Sequence, residues 1–293
     1  MTDWKSQTLT LGHSPDPDDA FMFYAMAAEK IDLRGYRFEH ILQDIQTLNE
    51  RARRGELHIS AVSIHALAYV RDKYALFPSG ASMGDGYGPL FVTTSTDTSA
   101  WGENDDTKRA WLKTKKIAIP GKMTSAYLAA QLFLGKDFDY VVIPFDEIFD
   151  AVKAGKADVG LIIHEGQLTY ADEGFTDVLD LGEWWKRTHD GLPLPLGGNV
   201  IRRDIPPEVR SELSDILRES IAYGLEHRRP AVDHSMAHAR GMEVPLADRF
   251  IGMYVNELTL DYGDRGRKAV KQFLDEAEAA GLIPPVGELE FVH

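Results

Sequence analysis

The sequence predicts an α/β protein of two lobes with mainly parallel sheets, and three observations lead there. A strand, a Gly/Pro/Ser-rich loop and a helix occur in that order twice, as "LTLGHSPDPDDAFMFYAM" at residues 9–26 and "KKIAIPGKMTSAYLAAQLFL" at residues 115–134. A helix, a glycine and a β-branched run also occur twice: "ARRGELHISAVSIH" aligns on "VKAGKADVGLIIHE" with Gly55 on Gly155, one hundred residues apart. Finally, 293 residues with 44% hydrophobic content suit two domains, each able to bury a core. Strands that alternate with helical patterns imply parallel βαβ packing, and two copies are too few for a solenoid.

The first strand breaks at Gly12, and the loop that follows carries Asp16, Asp18 and Asp19 into a dense helical pattern. "LHISAVS" and "ADVGLII" read as short buried parallel strands, each entered through its glycine. Between the copies, "GPLFVTTSTDTSAWGENDD" drifts from an extended run into turn residues, which places a crossing between lobes near residues 92–97. "LPLPLGGNVIRRD" places the return near residues 196–202. Helical patterns follow, from the proline pair at Pro206 to the amphipathic segment ending at Gly281, and they are expected to cover the first lobe. The expected division is residues 1–95 with 197–293 in lobe I and 96–196 in lobe II, with a ligand cleft between lobes joined by two crossings.

Charge and composition exclude several functions. Lys and Arg total 32 against 46 acids, so the net charge of -14 repels polyanions and argues against a nucleic-acid partner. No run approaches a membrane span and the N-terminus lacks a secretory pattern, so the expectation is a cytoplasmic chain without a membrane partner. The absence of Cys removes disulfides, thiolate metal sites and Cys nucleophiles.

In parallel sheets, ligands bind where strand ends run into helix N-termini. Four loops qualify: "GHSPDPDD" with Ser14, "AVSIH" with Ala61, Val62 and Ser63, "PGKMTSA" with Thr124 and Ser125, and "HEG" with His164. The three aspartates fit a helix start, where an Asp cap and first-turn acids are favourable. Asp-Pro-Asp also occurs after a strand in aspartyl phosphotransferases, but there the first Asp ends the strand directly, whereas Ser14 and Pro15 intervene here. A calcium loop fails on spacing. Thr124 and Ser125 offer hydroxyls beside unused helix N–H groups, a cradle for a carboxylate, and equally read as an N-cap pair. Lys122 reads either as added positive charge at that loop or as a solvated side chain.

His164 is the strongest candidate for chemistry, because imidazole exchanges protons near neutral pH and this one ends a strand. Glu165 is placed to orient a partner group, although neighbouring strand residues point to opposite faces. His13 and His65 read as structural. His234 and His238 have zinc-compatible spacing but no third ligand, so no metal site is expected. "GDGYG" leads into an extended run, and no G-x-S-x-G elbow occurs, so no nucleotide cofactor or serine hydrolase is indicated.

With these residues placed, the chain resembles the 1,4-dihydroxy-6-naphthoate synthases of the futalosine route to menaquinone, which have a type II periplasmic-binding-protein fold. The resemblance runs through "SPDPDDAFMFYA", "GELHISAVS", "GYGPLFV", "PGKMTSAYL", "GLIIHEGQLTY", "LPLPLGGNVIRR" and "YVNELTLDYG", in the family's order, with "GLIIHEG" the most specific. It implies a lyase acting on a small carboxylated molecule, cyclic dehypoxanthinyl futalosine, without metal or redox cofactor. It also implies His164 as proton acceptor, with Ser63, Thr124 and Ser125 as substrate contacts. The family commonly reads S-P-C-P-N-D-T-F where this chain has Asp16, Asp18 and Ala20, a departure that bears on the substrate. Two other readings share the fold: chorismate dehydratase of the same route, which "GLIIHEG" argues against, and a non-catalytic solute-binding protein.

Overall fold

The structure is a computed structural model and describes residues 3–293. Its strands are β1 (Thr8–His13), β2 (Arg37–Leu42), β3 (Ile59–Ser63), β4 (Tyr74–Leu76), β5 (Ser82–Gly84), β6 (Leu90–Thr93), β7 (Ile117–Ile119), β8 (Tyr140–Val142), β9 (Val159–Ile162), β10 (Thr176–Asp180) and β11 (Leu194–Arg202). They form two sheets. One has the order β2-β1-β3-β11-β4 with β5 on β11, and the other has the order β10-β6-β9-β7-β8.

The repeat seen in the sequence is a repeat of topology. β1 lies between β2 and β3, parallel to both, just as β7 lies between β8 and β9. The third strand of each trio then meets an antiparallel neighbour, β11 on β3 and β6 on β9. The sheets are therefore mixed, and only the three-strand heart of each is parallel. The aligned glycines have one cause: Gly55 and Gly155 both adopt φ of 71°, the left-handed conformation that ends a helix and that L side chains resist.

The chain divides into two compact units, Met1–Met83 with Pro195–Arg267 and Pro285–His293, and Gly84–Leu194 with Lys268–Pro284. The passage between sheets occurs earlier than the polar turn run had indicated, over residues 84–90, because β6 is itself a full strand of the second sheet. The return lies at residues 194–195, at the very start of β11, whose residues 197–202 pair in the first sheet. The C-terminal helix Gly263–Ala279 does not wholly cover the first unit as expected. Its later part belongs to the second, where Phe273 meets the edge of the Trp185 ring at 5.4 Å and Glu276 Oε2 lies 3.0 Å from His189 Nε2.

Each unit has its own core. In the first, Leu9, Leu11, Phe21, Ile59, Phe77 and Ile201 pack with Ile216 and Ile221 of the long helix Pro207–Glu226. In the second, Leu90, Val92, Ala118 and Ile162 pack against Ile148, Val152 and Phe175. Alternating strand residues and one helix face supply both cores, so the loops at the carboxyl ends of β1, β3, β7 and β9 are left to carry polar groups.

Candidate active site

Ser14 follows β1 directly, and its environment explains the aspartates. Its N–H donates to Asp19 Oδ2 at 2.6 Å and its hydroxyl donates to Asp16 Oδ2 at 2.7 Å. Asp16 Oδ1 in turn forms an ion pair with Arg240 at 2.7 Å. Asp16 occupies the N-cap position of the helix Pro17–Met22 but makes no side-chain cap bond, so the capping role read from sequence is replaced by this brace. Asp19 is buried, and burial first, then the charge of Asp18, raises its pKa well above the carboxylate norm. The acidic departure at position 16 is thus compensated inside the same unit.

His13 supports the same loop from beneath. Its Nδ1–H donates to Ser14 O at 3.1 Å, so its Nε2 is the acceptor for the Nδ1–H of His40 at 3.0 Å, and its ring stacks on Phe23. Burial, followed by His40, pushes its pKa down to about 3, which keeps it neutral and structural. His65 is buried at the start of the helix Ile64–Val70. His234 lies against the Tyr24 ring, and among the described residues no group of three or more His, Asp or Glu is arranged to hold a metal.

Ser63 ends β3 and is clamped by Asn49, a fully buried residue of the helix Ile45–Arg54. The Ser63 N–H donates to Asn49 Oδ1 at 2.8 Å, and Asn49 Nδ2 donates to Ser63 Oγ at 2.9 Å. With its oxygen already accepting, Ser63 presents its O–H as a donor. Ala61 and Val62 sit in the ladder with β11, opposite Asn199 and Gly198, and the Val62 side chain is core. Asn49 was not singled out from sequence; the available signal was a polar residue on the apolar stripe formed by Leu48 and Ala52.

In the second unit, Thr124 caps the helix Ser125–Leu134. Its hydroxyl accepts from Tyr127 N at 3.1 Å and donates to Gly121 O at 2.9 Å. That hydroxyl is therefore committed to the helix start, and what the turn presents to an anion is the positive end of the helix dipole, with Ser125 at its first position. Lys122 is more than a solvated charge: it lies 5.3 Å from the centre of the Tyr140 ring, and the hydrogen bond from Tyr127, with Lys122 second, lowers the Tyr140 pKa.

His164 follows β9, and its tautomer is fixed by two backbone groups. Gly166 N–H donates to Nδ1 at 3.0 Å, so the proton of the neutral ring is on Nε2, which donates to Phe145 O at 3.0 Å. Phe145 and Phe149 meet the ring edge-on, and Glu165 Oε2 lies 3.5 Å from Nδ1. Despite the alternation of strand faces, Glu165 does reach its neighbour, because the strand ends at Ile162 and both residues are in the turn beyond it. Gly166 is required by contact: a Cβ there would stand 2.8 Å from His164 Cε1 and 2.9 Å from Phe149. Nδ1 therefore carries the ring's lone pair, facing the Gly166 N–H with the Glu165 carboxylate beside it.

Known proteins resemble the chain over nearly its full length. A family described as menaquinone biosynthesis matches residues 9–279. The chain is 37% identical to a 1,4-dihydroxy-6-naphthoate synthase of Thermus thermophilus, over 95% of this chain and 97% of the relative. It is 36% identical to another of that name from Streptomyces coelicolor, over 96% and 97%. Among solved structures, a protein from Archaeoglobus fulgidus superposes with a TM-score of 0.86 at 43% identity, covering 94% of this chain and 98% of that one. The alkanesulfonate-binding protein of Xanthomonas axonopodis superposes at 0.69 with 13% identity, covering 95% of each chain, and shows the periplasmic-binding-protein-like fold alone. The chain belongs to the menaquinone biosynthesis family, within its 1,4-dihydroxy-6-naphthoate synthases.

Proposed function

We propose that the protein is a carbon–carbon lyase that converts cyclic dehypoxanthinyl futalosine to 1,4-dihydroxy-6-naphthoate, with His164 as the general base. The observation that carries this reading is the His164 turn, where backbone groups fix one tautomer and Glu165 stands beside the nitrogen that is to be protonated. His164 Nδ1 removes a proton from the cyclised ring system as Gly166 N–H gives way, the Glu165 carboxylate stabilises the imidazolium, the ring opens, and aromatisation of the product drives loss of a three-carbon fragment. A single general base contributes about 10² to 10⁴-fold, so orientation must supply the remainder.

The substrate carboxylate is assigned to the Ser125 hydroxyl and the first-turn N–H groups of its helix, an anion site that needs no net positive charge on the protein. Ser14 and Ser63, with the strand-end backbone of Ala61 and Val62, are assigned to the substrate's neutral polar groups. The reaction as written calls for no metal or redox cofactor and takes place in the cytoplasm. Incubating the purified protein with cyclic dehypoxanthinyl futalosine and, separately, with chorismate, then identifying products by mass spectrometry, tests the reading. Formation of 1,4-dihydroxy-6-naphthoate supports it. Dehydration of chorismate, or binding of either compound without turnover, overturns it.

A further inference from the structure

We infer that Asp16 fixes the hydrogen-bonding polarity of Ser14, so that this serine acts only as an acceptor and selects a substrate hydroxyl at its position. The inference rests on the functional reading above and names the chemistry of one of its contacts.

Ser14 has two donors, and both are given to carboxylates of its own loop. The backbone N–H goes to Asp19 Oδ2 at 2.6 Å, and the hydroxyl proton goes to Asp16 Oδ2 at 2.7 Å. A carboxylate can only accept, so the Ser14 hydroxyl cannot turn its proton toward a ligand without abandoning a charge-assisted bond. Asp16 cannot readily turn away either, because Arg240 holds its other oxygen at 2.7 Å. Ser14 therefore offers lone pairs alone. A ligand group beside it must donate, and a carboxylate or ether oxygen there would face oxygen without an intervening proton. Ser63 differs in keeping a donor: its oxygen accepts one bond from Asn49, and its proton is left to donate beside one open lone pair. The two serines that end β1 and β3, neighbouring strands of one sheet, thus form an acceptor and donor pair that reads both orientation and identity of the ligand's polar groups. The acid at position 16 sets one half of that code, and Arg240 pairs with its other oxygen.

The test compares Asp16→Ala with Arg240→Gln, using the substrate and analogues in which each ring hydroxyl in turn is replaced by fluorine, which accepts but cannot donate. Wild type is expected to prefer the parent over one of these analogues by at least about 10-fold in kcat/KM, mainly through KM. In D16A the Ser14 proton is released, and that preference should fall several-fold toward one. In R240Q the Asp16 acceptor remains but loses the partner of its other oxygen, so the preference should fall less than in D16A. A brace with only a structural role predicts that the two variants behave alike, and that result overturns the inference, as does an unchanged preference in D16A or a wild type indifferent to every fluorine substitution. A wild type that turns over no substrate at all overturns the functional reading, and this inference with it.

Discussion

Replacing His13 by glutamine isolates a single proton. The imidazole is 4% exposed, donates from Nδ1 to Ser14 O and accepts at Nε2 from His40. Burial and, after it, His40 push its pKa from 6.5 down to about 3. The unfolded chain therefore binds a proton that the folded chain refuses, so the stability this group contributes is intact above pH 6.5 and is lost as pH falls toward 3. The slope is about 1.4 kcal/mol per pH unit, and over the roughly three and a half units it sums to about 5 kcal/mol. That is comparable with the whole stability of a domain, about 5 to 15 kcal/mol. Glutamine keeps a donor and an acceptor but does not titrate. At about pH 8 the H13Q variant should be less stable by about 1 to 3 kcal/mol, from imperfect hydrogen bonds in a buried site. Below pH 6.5 the gap should close by about 1.4 kcal/mol per unit and vanish near pH 5. Urea unfolding followed by circular dichroism, at half-unit steps from about pH 8 to 5, measures that difference directly. A gap that stays constant across the series would refute the neutral, buried His13 on which the Ser14 loop rests.

Three further outcomes follow from the geometry. Asp180 caps the helix Leu181–Thr188, yet burial outweighs its backbone N–H bonds and raises its pKa to about 6. The associated stability is full below the ordinary carboxylate range and lost as pH rises through 6, so Asp180→Asn should stabilise the protein by up to about 3 kcal/mol at pH 7.5 and not at pH 4. Equal effects at the two pH values in chemical denaturation would rule this out. Thr124→Ala should cost about 1 kcal/mol of stability through the lost cap, whereas Ser125→Ala should weaken substrate binding by about 1 to 3 kcal/mol with little change in stability; calorimetry that finds the two effects exchanged would reverse the assignment. Gly166→Ala should displace the His164 ring, lowering kcat by at least about 10-fold while the fold stays intact by circular dichroism, and wild-type turnover would show that the contact is not needed.

The topology was legible because the chain repeats itself. Gly55 and Gly155 mark helix ends that no other residue type makes as easily, and the strands after them, "ISAVS" and "VGLI", are buried along their whole length. The crossings were misplaced for a definite reason: "LFVT" reads alike whether it leaves one sheet or enters another, and only its pairing with β9 and β10 decides. The candidate residues were singled out because they lie in loops that follow strands, a property of local sequence. Their partners were not, because Arg240 meets Asp16, and Asn49 meets Ser63, through tertiary packing that no spacing encodes. Thr124 shows a further limit, since a hydroxyl at a helix entry looks the same in sequence whether it serves the helix or a ligand. His164 was legible by position, but its tautomer depends on Phe145 O, which no pattern places beside it.

The central claim is that His164 accepts the proton in conversion of cyclic dehypoxanthinyl futalosine, and single-turnover comparison of wild type with His164→Asn tests it most directly. Asparagine keeps an acceptor for Gly166 N–H and much of the side chain's shape, but removes the basic nitrogen. The account predicts that substrate affinity and thermal stability remain near wild type while the rate of 1,4-dihydroxy-6-naphthoate formation falls about 10² to 10⁴-fold. An H164N rate within a few-fold of wild type, or a loss of activity that tracks unfolding, would contradict it and leave His164 a structural residue.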